Sequence, residues 1–203
     1  MLNNGENLMV YNDFSDVPYI PYKILEEMLT DDSREVNDLW KLLKYATYDC
    51  LDKDDLTFDE KSDIIWRGES MEQDYTIFLK PLVGSSLDTA ESQIQMRLFR
   101  YNTSPISRFD AIVTFEIDFL TNDKTCLVDN NGIICERTDL LVSKFLQVFN
   151  GRDIGVGILS YDRELARGCQ DLLSIGNSKD IYGRSLVMAL QYTCGNIGGG
   201  TCG

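Results

Sequence analysis

Ala111-Ile112-Val113-Thr114-Phe115-Glu116-Ile117-Asp118-Phe119 is the stretch that decides the fold, because from Val113 onward apolar and polar side chains alternate without a break. Successive side chains of a strand point to opposite faces. Val113, Phe115, Ile117 and Phe119 therefore face a core, and Thr114, Glu116 and Asp118 face outward. Upstream, Ile94-Gln95-Met96-Arg97-Leu98 repeats the pattern, which predicts a sheet with one wet face. The connection between the two, residues 100–108 with Pro105, is long for a hairpin and is expected to project from the body. A strand over 75–82, with Ile77 and Leu79 on one face, precedes them, and strands over 154–161 and 185–192 follow. Gly183-Arg184 leads into the last of these, after an excursion carrying Leu165, Leu172, Leu173 and Ile175.

On the N-terminal side the period changes from 2 to 3.6. Val36, Leu39, Trp40, Leu43, Ala46 and Cys50 recur at helical spacing behind Asp32-Ser33-Arg34-Glu35, which has the form of a capping box with Asp32 as the cap. Thr57-Phe58-Asp59-Glu60 is a second box, opening a short helix that runs toward Ile64, Ile65 and Trp66 and stops at Gly68. A short helix over 22–29 precedes both. Further upstream, Val17-Pro18-Tyr19-Ile20-Pro21 favours an extended segment, since proline is disfavoured inside a helix.

Downstream of the central strand, Asp129-Asn130-Asn131-Gly132 is turn chemistry. A helix over 136–150 follows, with Leu141, Phe145, Val148 and Phe149 on one face and Gly151 as its stop. The tail holds five glycines in residues 195–203 and cannot hold structure alone. The resulting class is α+β, a mostly antiparallel sheet packed against helices and preceded by a helical segment. Its divisions are an extended arm (1–21), a helical segment (22–70), the sheet domain (71–194) and the glycine-rich tail (195–203). Arm and tail are expected to order only against a partner, because neither buries enough surface to offset a backbone cost of about 1–2 kcal/mol per residue.

Composition narrows the function. The 203 residues carry 33 acidic and 19 basic side chains, a net charge of −14, and the densest basic stretch, residues 97–108, holds only three arginines. A nucleic-acid groove needs clustered Lys and Arg. There is no histidine, which removes Ser-His-Asp and Cys-His nucleophile pairs and the commonest metal ligand. No apolar run approaches the roughly 18 residues of a membrane span, and residues 1–10 lack the basic and apolar regions of a signal peptide. Cys50, Cys126, Cys135, Cys169, Cys194 and Cys202 show no zinc-type spacing. Reduced thiols are expected, with Cys50 and Cys135 acting as small core residues.

Three patterns touch on chemistry, and each has a plainer explanation. Asp52-Lys53-Asp54-Asp55-Leu56-Thr57 begins like a calcium loop but has Leu56 and Thr57 where a ligand and a glycine belong. Gly155-Val156-Gly157 lacks the third glycine of a dinucleotide fingerprint and lies within a strand, where small residues mark a bulge or a close backbone approach. Glu116 and Asp118 share a strand face and could hold magnesium for a phosphodiesterase, yet charge on a half-solvated sheet is ordinary. Arg163-Glu164-Leu165-Ala166-Arg167, with Lys179 and Arg184, is a mixed-charge solvated or interfacial face. No catalytic, cofactor-binding or metal-binding residue is assigned, and no enzymatic activity is expected.

The order of helix, alternating strands, helix, strand, excursion and final strand resembles the tail terminator and neck proteins of tailed bacteriophages. The resemblance covers about residues 72–194 and is carried by 75–82, 93–101, 111–120, the 138–151 helix and the last two strands. Leu146-Gln147-Val148-Phe149-Asn150-Gly151-Arg152-Asp153-Ile154, passing from helix to strand, is similar to theirs; residues 34–70 look like an elaboration. The resemblance implies a structural virion protein, assembled in the host cytoplasm, that forms a homo-oligomeric ring between phage head and tail. Its implied partners are copies of itself and neighbouring neck, portal or tail-tube proteins, with DNA passing through unbound and no membrane. A head-completion subunit (stopper or adaptor) is the close alternative, and a cytosolic protein-binding module or the magnesium phosphodiesterase are the others.

Overall fold

The computed structural model describes residues 17–68, 75–81, 94–106, 110–161, 169–172 and 181–193. The alternating stretch forms β3 (Asp110–Asn122), and Val113, Phe115, Ile117 and Phe119 are fully buried as their spacing requires. β3 lies between two long antiparallel partners, β2 (Gln95–Pro105) and β9 (Ile181–Thr193). β1 (Ile77–Phe78) adds to β2 in parallel at one edge. On the other side β9 pairs with β7 (Ile158–Ser160), which pairs with β6 (Arg152–Asp153), and β8 (Cys169–Leu172) also pairs with β9. β4 (Leu127–Asn130) and β5 (Ile133–Glu136) form a separate two-stranded sheet. With this mostly antiparallel sheet packed on helices, the class is α+β.

The helices are α1 (Ile20–Thr30), α2 (Arg34–Lys44), α3 (Phe58–Asp63) and α4 (Arg137–Phe149). α4 packs on the inner face of the sheet: Phe145 meets Phe119 edge-on at 5.8 Å and Phe149 at 4.5 Å between ring centroids. Val36, Leu39, Trp40 and Leu43 of α2 and Ile20, Ile24 and Met28 of α1 complete the same continuous core. The buried indole N–H of Trp40 donates to the Met28 carbonyl (2.9 Å), joining these two helices. Lys144 bridges α4 to Asp38 of α2 at 2.7 Å, and Arg152 ties β6 to α1 through Glu27 (2.7 Å) and Asp31.

Arg137 holds the helical segment to the sheet domain. Its side chain is completely buried, and no carboxylate among the described residues pairs with it. The guanidinium instead donates to the carbonyls of Thr125 (2.6 Å), Leu42 (2.8 Å), Tyr45 (3.0 Å) and Thr47 (2.9 Å), with the Cys50 sulfur at 3.5 Å. Leu42 and Tyr45 close the C-terminal end of α2, where unsatisfied carbonyls and the helix dipole favour a cation. Burial pushes the Cys50 thiol above its usual range despite that cation.

Local signals explain several boundaries. The Thr57 box is complete: Glu60 N–H donates to Thr57 Oγ1 (3.3 Å) and Thr57 N–H to Glu60 Oε2 (2.9 Å). Asn131 (φ 55°) and Gly132 (φ 82°) take consecutive left-handed conformations, the tight hairpin turn that joins β4 to β5. Gly151 stops α4 at φ 84°.

Other expectations are corrected. Residues 17–21, expected as the end of an extended arm, form the 3-10 turn Val17–Tyr19 and the start of α1. Pro21 is tolerated there because the first helical positions have no intrahelical N–H bond to lose. Ser33, not Asp32, stands at the N-cap of α2, with no side-chain cap bond. α2 ends at Lys44, so Cys50 sits in the separate 3-10 turn Cys50–Asp52. The helical segment stops at Asp63; Ile65 already bridges to Ile77. The connection at 100–108 is largely strand, and the single strand expected over 154–161 is a tight β6–β7 hairpin. Gly183-Arg184 lies inside β9. Residues 1–16 of the arm, the tail 195–203, Leu165, Leu173 and Ile175 lie outside the described residues.

Candidate functional site

Glu116 and Asp118, two apart on β3, share the outer face of the sheet. Arg97 stands opposite Asp118 on β2 and Ser185 opposite it on β9. Arg97 Nη2 lies 3.2 Å from Asp118 Oδ2, its Nη1 donates to the Pro81 carbonyl (3.0 Å), and Ser185 Oγ donates to Glu116 Oε1 (2.8 Å). The expected wet face is dry at this end, where the Arg97 and Asp118 side chains are only 8% and 7% exposed. Burial raises the Asp118 pKa against the pull of Arg97. Among the described residues, Asp118 Oδ1, Gln95 Oε1 and Arg97 Nε find no hydrogen-bond partner. Of the two carboxylates weighed as magnesium ligands, Asp118 is thus engaged by an arginine and Glu116 by a hydroxyl. Arg97 offsets the charge of Asp118, while Ser185 gives Glu116 a neutral donor.

The other patterns also resolve into structure. Asp55 pairs with Lys41 (2.7 Å) and Leu56 is buried. Gly157 (φ 143°) brings the β6–β7 turn against β9; a Cβ there would sit 2.5 Å from the Gln191 carbonyl oxygen, the close backbone approach its sequence suggested. Arg184 is half-buried among Asp139 (2.8 Å), Glu136 (3.7 Å) and Asp171, while residues 163–167 and Lys179 lie outside the described residues. Cys50 is buried, Cys126 and Cys135 are half-buried and Cys169 is exposed, all with free thiols. Among the described residues, no group of three or more Cys, Asp or Glu side chains is placed to hold a metal ion, and no helix is long and apolar enough to cross a membrane.

The remaining candidates are surfaces. The β4–β5 hairpin turns Val128 inward but exposes Ile133 (66%), Ile134 (64%) and Leu127 (50%). Its backbone is anchored by Asp129 N–H donating to the Tyr48 carbonyl (2.9 Å) and Arg137 N–H to the Cys126 carbonyl (2.7 Å). The far end of β2 is a second projection: residues 100–102 are exposed, and Ile106, whose N–H donates to the Asp110 carbonyl (2.8 Å), is 58% exposed. Between α1 and the segment joining α3 to β1 lies an apolar groove of about 360 Å³. Leu25, Leu29, Ile65, Trp66 and Leu79 line it, with the exposed Tyr22 and Arg67 at its border. Lys80 extends over the Trp66 ring at 3.8 Å, so the groove is edged by two cations in an acidic protein.

Sequence reading placed Trp66 at the end of a short helix and missed both the groove and the hairpin. The Ile133-Ile134 pair directly after an Asn-Gly turn was a usable signal, since adjacent strand residues cannot both face one core. Compared with known protein families, curated proteins and solved structures, the chain has no match.

Proposed function

We propose that this chain is a structural subunit that closes into a ring at the head–tail junction of a tailed bacteriophage, as a tail terminator or a head-completion subunit of the same neck. The observation that carries the proposal is the pair of projecting hairpins, β2–β3 and β4–β5, which hold Ile106, Ile133 and Ile134 in solvent on a well-packed body. Exposed apolar side chains grouped on one hairpin, as Leu127, Ile133 and Ile134 are, mark protein–protein contact. A ring needs two different faces per subunit, because a heterologous contact that closes on itself makes a ring. The element order carried by the α+β fold, with a helix on one face of an antiparallel sheet, agrees with the phage family that the sequence resembles.

The charge of −14 suits a channel that DNA traverses without capture, since attraction to phosphates requires positive groups. Under this proposal the partners are other copies of the chain and the neighbouring portal, neck or tail-tube proteins, and the location is the virion. Native mass spectrometry of the purified chain over a range of concentrations tests the proposal. One discrete stoichiometry above two is the expected result; a monomer at every concentration overturns it.

A further inference from the structure

We infer that Asn131 is a covalent modification site, at which the side-chain amide is slowly lost through attack by the next backbone nitrogen, and that the Asp129 side chain sets how slowly. The inference does not depend on the ring proposal.

The chemistry needs asparagine followed by glycine, because glycine has no Cβ to keep its nitrogen away from the asparagine side chain. Gly132 N bonds to Asn131 Cγ and closes a succinimide ring; its proton passes to solvent base, and Nδ2 leaves as ammonia. Water then opens the ring at either carbonyl, giving aspartate or isoaspartate. The net change is NH2 for OH, and water is the sole co-reactant. A Cβ built on Gly132 would meet nothing within 4 Å, so the ring has room to form.

Two Asn-Gly pairs lie among the described residues, Asn131-Gly132 and Asn150-Gly151, and both are exposed. Their restraints differ in kind. At Asn150 both reacting groups are tied to the β6–β7 hairpin: Gly151 N–H donates to the Leu159 carbonyl (2.7 Å), and Tyr161 N–H donates to Asn150 Oδ1 (2.8 Å). Leu159 is fully buried, so these contacts open only if β7 leaves the sheet. At Asn131 the restraints come from side chains of the same turn. Gly132 N–H donates to Asp129 Oδ1 (2.6 Å), and Asn131 Nδ2 donates to Asn130 Oδ1 (3.1 Å). The nitrogen that must lose its proton is thus held by a carboxylate, the stronger kind of acceptor. Rotation of one side chain releases it.

Modification changes what the hairpin presents. The turn is built on two left-handed residues, Asn131 (φ 55°) and Gly132 (φ 82°). Isoaspartate adds a backbone methylene between them, and either product adds a carboxylate beside the exposed Ile133 and Ile134.

The test incubates the folded full-length chain at mildly alkaline pH and maps it by tandem mass spectrometry that separates aspartate from isoaspartate. Both products should appear at Asn131 at least about 10-fold faster than at Asn150, which needs two long-range bonds broken. Asp129→Ala should speed the reaction at Asn131 about 10-fold and leave Asn150 unchanged, whereas Asp129→Asn, which keeps a carbonyl acceptor, should stay within about 3-fold of wild type. Urea-denatured wild type gives the rate of the unrestrained pair. If Asp129→Ala already reaches that rate, the hairpin has opened and Asp129→Asn decides: a rate well below the denatured one supports the inference, and a rate equal to it overturns it. Amide loss at Asn150 as fast as at Asn131, or an Asp129→Ala rate equal to wild type, also overturns it.

Discussion

Replacing Arg137 with methionine keeps most of the side-chain volume and removes the guanidinium that joins α2 and the following turn to the sheet domain. Four carbonyl acceptors lose their donor, those of Leu42, Tyr45, Thr47 and Thr125. The bonds to Leu42 and Thr125 are buried, and those to Tyr45 and Thr47 partly so. A buried acceptor left unsatisfied costs about 1–3 kcal/mol, so the two buried ones cost about 2–6 kcal/mol together. The partly buried pair can turn to water at little cost. Relief from desolvating the cation offsets some of this, and we expect about 4 kcal/mol in all. For a chain of this size that corresponds to a fall of roughly 8–16 °C in Tm.

Arg137→Lys should recover only part of the loss, because an ammonium radiates its donors from one point and cannot span carbonyls arranged around a planar fork. Thr47→Ala is the control: Arg137 bonds the backbone carbonyl there and the side chain is exposed, so the cost should stay below about 0.5 kcal/mol. Urea unfolding followed by tryptophan fluorescence measures all three, with Trp40 in the affected core. If Arg137→Met unfolds within about 1 kcal/mol of wild type, the inference that these bonds hold the two segments together is wrong.

Further expectations concern the strand register, the close backbone contacts and acid stability. Phe115→Ala should cost about 3–5 kcal/mol and Thr114→Ala under about 1, since one side chain fills the core and the other is half-buried on the outer face; equal losses in thermal melts would contradict the register of β3. Gly183→Ala should cost about 3 kcal/mol, because a Cβ there would overlap the Phe119 carbonyl, and Gly155→Ala about 1, because only its φ of 80° is strained and the space is open. The reverse ranking in urea midpoints would refute the packing of β9 on β3. For Asp31, burial opposes ionisation, but hydrogen bonds from Arg152 and Ser33 outweigh it and hold the carboxyl below its usual range. Its contribution is therefore present above the ordinary aspartate range and lost as pH falls through the lowered value. The stability gap between wild type and Arg152→Gln should narrow on acidification, and a gap independent of pH counts against the pairing.

Strict local patterns were legible in the sequence. The Val113-to-Phe119 alternation, the Thr57–Glu60 box, the Asn131-Gly132 turn and the Gly151 stop each follow from a short-range rule that tertiary context did not override. Parts of the fold set by distant partners were not legible. Arg137 opens a helix, where a charged residue ordinarily faces water, and only the fold brings the Leu42 and Thr125 carbonyls to it. Arg97 and Asp118 fall on the polar phase of their strands, and nothing local reports that this end of the outer face is buried. Gly155 and Gly157 sit within an apolar run that has the period of one strand, though their left-handed φ values make it a hairpin. Trp66 belongs to a helical stripe in sequence, but pairing of Ile65 with Ile77 ends the helix first and turns the indole into the wall of a groove.

The proposed closure into a ring can be seen directly by negative-stain electron microscopy of the purified wild-type chain. Class averages should show annular particles with a single subunit number and a central opening wide enough to pass duplex DNA. Particles of monomer size, or open filaments of variable length, would contradict it.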